Sequence, residues 1–203
     1  MSWELWAGFV AATLLMLAIP GPTILLVIGQ SLGAGRRHAL PLVAGVALGD
    51  LTAITLSLAG LGALMAASAA AFTVFKLAGA AYLVWLGVRL FRAPVEATAL
   101  PPVSDKRALR DAFVVTALNP KSIAFFVAFL PQFMDATAPF WPQALVLVPT
   151  FVSLAALNAL IYALLAGRLS GIATRPAARR WFNRLGGSAL VGAGIATAAM
   201  RRA

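Results

Sequence analysis

Hydrophobic positions along this chain gather into six long runs, at roughly 5–32, 39–65, 68–91, 111–133, 140–166 and 182–200. Each is about as long as the 20 or so helical residues needed to cross the apolar core of a bilayer. The pattern predicts an all-α integral membrane protein with six transmembrane helices. The only long polar interval is about 92–110, Pro/Ala-rich and carrying Glu96, Asp105, Lys106, Arg107 and Arg110. It reads as a loop between two halves of three helices each, about 1–91 and 111–203. No stretch suggests a separate soluble domain, so residues 1–203 form one membrane domain.

The first run is interrupted by polar-backbone chemistry rather than by charge. Leu5 to Leu32 contains no ionisable side chain, but Pro20-Gly21-Pro22 falls within it. Two prolines remove two backbone donors, and a glycine between them permits unusual backbone angles. Inside a membrane a break of this kind is tolerated only where the freed backbone is buried in protein or lines a cavity. A simple proline kink is the plainer alternative. The fourth run carries Asn119-Pro120-Lys121 at a corresponding depth. Paired interruptions in two halves point to a substrate site between them.

Composition agrees with the runs: 62% of residues are hydrophobic and 11% charged, with mean hydropathy +0.92. Average soluble proteins have roughly 45–50% and about 25%. The absence of cysteine excludes disulfides and thiolate metal sites, and the single histidine, His38, argues against a histidine-built metal or haem centre. No cofactor is expected. The opening Met-Ser-Trp-Glu lacks the basic stretch of a cleaved signal peptide, so the first run is expected to stay as a helix.

The net charge of +10 follows topology and does not call for a nucleic-acid partner. Arg36 and Arg37 lie in the first connection; Arg89, Arg92, Lys106, Arg107 and Arg110 border or occupy the third; Arg168, Arg175, Arg179, Arg180 and Arg184 border or occupy the fifth. The second and fourth connections have none. By the positive-inside rule the three basic connections face the cytoplasm and both termini face the periplasm. Trp3, Trp6, Trp141 and Trp181 then fall at segment ends, where interfacial anchors belong. Three helices per half make the halves run in opposite directions, so the fold is expected to be two inverted three-helix repeats with helices 1 and 4 broken at proline. Basic loops and the Arg201-Arg202 end are expected to contact anionic lipid.

Three ionisable side chains lie well inside the runs: Asp50, Lys76 and Lys121. A charge at the bilayer centre costs roughly 2.5–3.5 kcal/mol, so each needs a partner, a wet cavity or a function. Asp50 is either a protonatable site, an acceptor for a substrate ammonium, or half of an ion pair with Lys76 or Lys121. Lys121 either counters a substrate carboxylate or satisfies carbonyls released by Pro120. Lys76 sits nearer the outer face, where snorkelling is an alternative. Asn119, Asn158 and Tyr162 supply neutral polar groups at similar depth. The pairs Gly45/Gly49 and Gly79/Gly87, and Gly186, Gly187, Gly192 and Gly194, read as sites of close helix packing.

Pro20-Gly21-Pro22, Gly45-x3-Gly49, Lys76-Leu-Ala-Gly79-Ala-Ala-Tyr82-Leu-x-Trp-Leu-Gly87, and Asn119-Pro120-Lys121 followed by Phe129-Leu-Pro131-Gln132-Phe133 occur in that order. Together they resemble the lysine-exporter/homoserine-threonine-exporter (LysE/RhtB) family over essentially the whole chain. The resemblance implies a bacterial inner-membrane exporter of amino acids or close derivatives, driven by the proton gradient. It also places Pro20, Gly21, Pro22, Lys76, Asn119, Pro120 and Lys121 at the family's motif positions. Asp50 and Asn158 join the candidate substrate-binding set on physical grounds alone, Asp50 also as the candidate proton-coupling group. The expected partners are a small-molecule substrate and membrane lipid, with a homo-oligomer left open. Alternatives are an exporter of another small solute, such as a cation or toxic metabolite, and an intramembrane enzyme. A single buried carboxylate serves a cation site poorly, and the runs hold neither paired carboxylates nor a Cys/His arrangement.

Overall fold

The first apolar run folds as two helices, α1 (Trp3–Ala18) and α2 (Pro22–Ala34), bent by 52° at the Pro20-Gly21 break. Helix α3 (Ala39–Ala67), α4 (Ala69–Phe91) and α5 (Asp105–Ala117) follow. A short α6 (Pro120–Ala124) leads into a π-helical turn, Phe125–Phe129, and a 3-10 turn, Leu130–Phe133; α7 (Phe140–Ala173) is the longest element. This computed structural model describes residues 1–34, 38–67, 69–92, 103–135 and 137–173, with positions 180, 181, 184, 188, 191, 192, 195, 198 and 199 beyond them. Among the described residues there is no strand.

Ala39–Gly60, Asp105–Phe133 and Phe140–Ala166 are each long and apolar enough to cross a membrane, and the bent α1–α2 pair meets the same test when its two helices are taken together. The third predicted run coincides with α4. Most of the sixth, 182–200, lies outside the described residues, as do Gly186, Gly187 and Gly194. Leu15, Leu40, Leu56 and Leu145 point outward from the bundle, the distribution expected where lipid rather than water surrounds a protein. The aromatic anchors Trp3, Trp141 and Trp181 are also exposed.

One boundary differs from the sequence expectation. The polar interval 92–110 is not loop to its end, because α5 begins at Asp105. Ser104 caps it by accepting from the Arg107 N–H, Asp105 puts a negative charge in the first turn, and Arg107 pairs with Asp111 one turn on. Local capping outweighs the polarity that suggested a loop. Helix α7 likewise continues past 166, to Ala173.

Helix α3 packs tightly against α5, and glycine makes it possible. A Cβ on Gly45 would strike the Leu109 carbonyl oxygen and sit 2.8 Å from the Ala112 Cβ. One on Gly49 would sit 2.7 Å from the Thr116 Cβ and 2.8 Å from the Phe113 carbonyl oxygen. Across from the glycines, Ala108, Ala112 and Thr116 form a second stripe of small residues, all buried. Gly49→Val is therefore expected to destabilise the protein by about 1–3 kcal/mol, the usual cost of forcing volume into packed structure. Gly60→Ala, where an added Cβ meets nothing within 4 Å, is expected to leave stability unchanged or slightly raised. Thermal unfolding of the two variants in detergent checks the contrast.

Candidate functional site

Each break follows from proline chemistry. A residue before proline is pushed out of the helical region, and Ile19 and Asn119, which precede Pro20 and Pro120, both have ψ of 111°. Each new helix then restarts with proline in its first turn, where a missing N–H costs nothing: Pro22 in α2 and Pro120 in α6. Gly21 needs no left-handed backbone here, contrary to the expectation that its freedom of angle matters. The Lys121 stem packs over it, with Cδ and Nζ each 3.5 Å from where a Cβ would be, an ordinary van der Waals distance.

The two breaks handle their released carbonyls differently. At the second, the Thr116 carbonyl that faces the missing Pro120 donor accepts from the Asn119 N–H at 3.0 Å, and Asn119 Oδ1 caps α6 through the Lys121 N–H at 3.1 Å. At the first, the four carbonyls from Met16 to Ile19 are met by side chains from the other half of the chain. Lys121 Nζ donates to Met16 O at 2.9 Å and to Ile19 O at 2.7 Å. Asn158 Nδ2 reaches Leu17 O, and the Tyr162 hydroxyl reaches Ala18 O, both at 3.4 Å. Lys121 thus satisfies carbonyls released by Pro20, not by Pro120 as one sequence reading held. The reason is local: Asn119 has already closed its own break.

The two interruptions also bond directly. Thr23 Oγ1, in the first turn of α2, accepts from Asn119 Nδ2 at 3.1 Å and from Thr116 Oγ1 at 3.2 Å. Asp50, 3% exposed, and Lys121, 6% exposed, line one cavity with Gly21, Thr23, Asn119 and Asn158. No direct ion pair joins Asp50 to Lys121 among the described residues, although both line the same cavity. Asp50 Oδ1 is buried with no hydrogen-bond partner among the described residues. The alternative of an Asp50–Lys121 ion pair is therefore not a contact pair here, and the Lys76 side chain, on α4, lies outside the described residues.

Apolar clusters close this polar layer above and below. One cluster gathers Phe9 and Met16, Ile54 and Leu58, Phe125, Phe126 and Leu130, and Leu147, Phe151 and Ala155. Its rings interlock, as where Phe126 meets Phe151 edge-on at 4.7 Å. The other gathers Ile24, Val27 and Ile28, Leu42 and Val46, Ala108 and Ala112, and Ala159 and Ala163, with no aromatic among its buried members. On all four strands of chain the polar residues lie between the two clusters. The cavity measures about 20 Å³, room for about one water. That is too small for an amino acid.

Of the predicted residues, Gly21, Asp50, Asn119, Lys121 and Asn158 come together, while Pro20, Pro22 and Pro120 act through the backbone they interrupt. Sequence reasoning did not single out Thr23, Thr116, Ser122 or the carbonyls of 16–19. Thr23 and Ser122 directly follow the two proline motifs, which was the available signal.

The family model for LysE type translocators matches residues 14–201. A protein of Vibrio cholerae described as an uncharacterized membrane protein is 38% identical over 198 residues, covering 96% of this chain and 97% of its own. The homoserine/homoserine lactone efflux protein of Salmonella typhimurium is 34% identical over 203 residues, 98% of each chain. The leucine efflux protein of the same organism is 29% identical over 166 residues, 80% of this chain and 78% of its own. No solved structure matches. A multi-pass bundle of apolar helices, matched over nearly its whole length, makes this chain a member of the LysE type translocator family.

Proposed function

We propose that the protein exports amino acids or close derivatives across the bacterial inner membrane, by alternating access around the buried layer where its two helix breaks meet. The observation that carries this reading is the set of bonds from Lys121, Asn158 and Tyr162 to the carbonyls of the opposite break. Backbone carbonyls beside a buried carboxylate, in a layer between apolar clusters, suit a small polar solute. Homoserine, homoserine lactone and leucine, for whose efflux the relatives are named, share a primary ammonium group.

In this reading the two halves are inverted repeats, the basic connections face the cytoplasm, and both termini face the periplasm. The aliphatic cluster is then the cytoplasmic seal and the aromatic cluster the periplasmic one. Opening them in turn exposes the layer to each side, and Asp50 exchanges a proton with the periplasm to drive export. Proteoliposomes with an imposed pH gradient and a panel of labelled amino acids test the proposal. At least one neutral amino acid is expected to leave faster than from protein-free vesicles, and faster still with the gradient. A panel in which nothing moves above background overturns it.

A further inference from the structure

The carbonyls of residues 16–19 end α1 at the break, those of Met16 and Ala18 facing the donorless Pro20 and Pro22, and Met16 and Leu17 line the cavity. What fills them is an alkyl ammonium. Lys121 Nζ spends two of its three donors on Met16 O and Ile19 O at 2.9 and 2.7 Å. The other two oxygens are held only by neutral donors at 3.4 Å. In the same cavity, Asp50 Oδ1 is buried and has no hydrogen-bond partner among the described residues. A buried carboxylate oxygen left unmet is costly, and here it adjoins a cation engaged elsewhere.

We infer that the Met16–Ile19 carbonyls are a binding site for a primary ammonium group, which Lys121 occupies in the unloaded protein and which a substrate's ammonium takes over, releasing Lys121 to Asp50. The hand-over conserves the polar contacts. The incoming ammonium gains the carbonyls, Lys121 gains the carboxylate, and Asp50 Oδ1 gains its missing donor. The ligand class is any small solute with a free primary ammonium, whether or not it carries a carboxylate. N-acylated and quaternary analogues are excluded, because they offer too few donors. The substrate half of this inference rests on the export reading; the cradle itself does not.

Two variants separate these parts. Lys121→Met keeps the length of the stem and leaves the carbonyls without a cation; Lys121→Gln returns a neutral N–H donor to them. Thermal unfolding of each full-length protein in detergent is followed against methylammonium chloride, with tetramethylammonium chloride at equal ionic strength as control. Methylammonium is expected to stabilise K121M at concentrations at least about tenfold below those needed for wild type, the worth of one hydrogen bond to a charged group. K121Q is expected to behave as wild type, and tetramethylammonium to do nothing. Recovery of folded K121M only with methylammonium present counts in favour. Equal effects on K121M and wild type, or equal effects of the two cations, overturn the cradle.

In wild-type proteoliposomes an amino acid is expected to leave at least about tenfold faster than its N-acetyl form; equal rates overturn the hand-over. A protein that exports no amino acid, yet whose K121M form takes methylammonium, overturns the export reading and leaves the cradle standing.

Discussion

Replacing Pro20 and Pro22 together with alanine is expected to cut export about a hundredfold or more while the protein still inserts and folds. Alanine at 20 restores an N–H facing Met16 O, and alanine at 22 restores one facing Ala18 O, so the break can reseal into helix. Removing two prolines from a helical path relieves about 3 kcal/mol each, which drives the closure. Lys121 then loses its acceptors at Met16 O and Ile19 O. Charge-assisted hydrogen bonds contribute about 1.5–3 kcal/mol each, and a factor of ten in rate is about 1.4 kcal/mol. The measurement is the initial efflux rate per folded protein, with folding judged by size-exclusion profile and helical content. A rate within about threefold of wild type would mean that the break is a packing kink and not part of the site.

Replacing Asp50 with asparagine is expected to uncouple export from the proton gradient. The substitution keeps the shape of the side chain and removes its charge, in a site 3% exposed where no other carboxylate lines the cavity. Gradient-driven efflux is expected to fall about ten- to a hundredfold, the equivalent of one lost charge-assisted interaction. Exchange of substrate across the membrane with no gradient should be reduced less, because the carbonyls of 16–19 are untouched. The pH dependence of efflux should flatten as well. Undiminished gradient-driven export by D50N removes Asp50 from the coupling role.

These effects were partly legible in the sequence because proline and charge are conspicuous in an apolar run. Pro20, Pro22 and Pro120 marked the breaks, and Asp50 and Lys121 stood out as charges at depth. Gly45 and Gly49 read as a packing pair, and the structure finds α5 pressed against them. The pairing of break with side chain was not legible, since it depends on which halves touch. Lys121 lies beside Pro120 in sequence but bonds the carbonyls behind Pro20, more than a hundred residues away in the chain. Backbone acceptors carry no letter of their own, so the 16–19 carbonyls were invisible until Lys121, Asn158 and Tyr162 pointed at them. The start of α5 was missed for a different reason. Capping by Ser104 and the Arg107–Asp111 pair are local and modest, and a span rule based on hydropathy passes over them.

If substrate binds in the layer between the two breaks, a single thiol placed there reports it. The chain contains no cysteine, so Ser122→Cys, a near-isosteric change at a buried cavity-lining position next to Lys121, gives one reporter. Its rate of modification by a small methanethiosulfonate is measured in proteoliposomes with and without a transported amino acid. Modification is expected to slow at least about fivefold at saturating substrate, and not to slow with the N-acetyl form. Unchanged modification in a variant that still exports would contradict it.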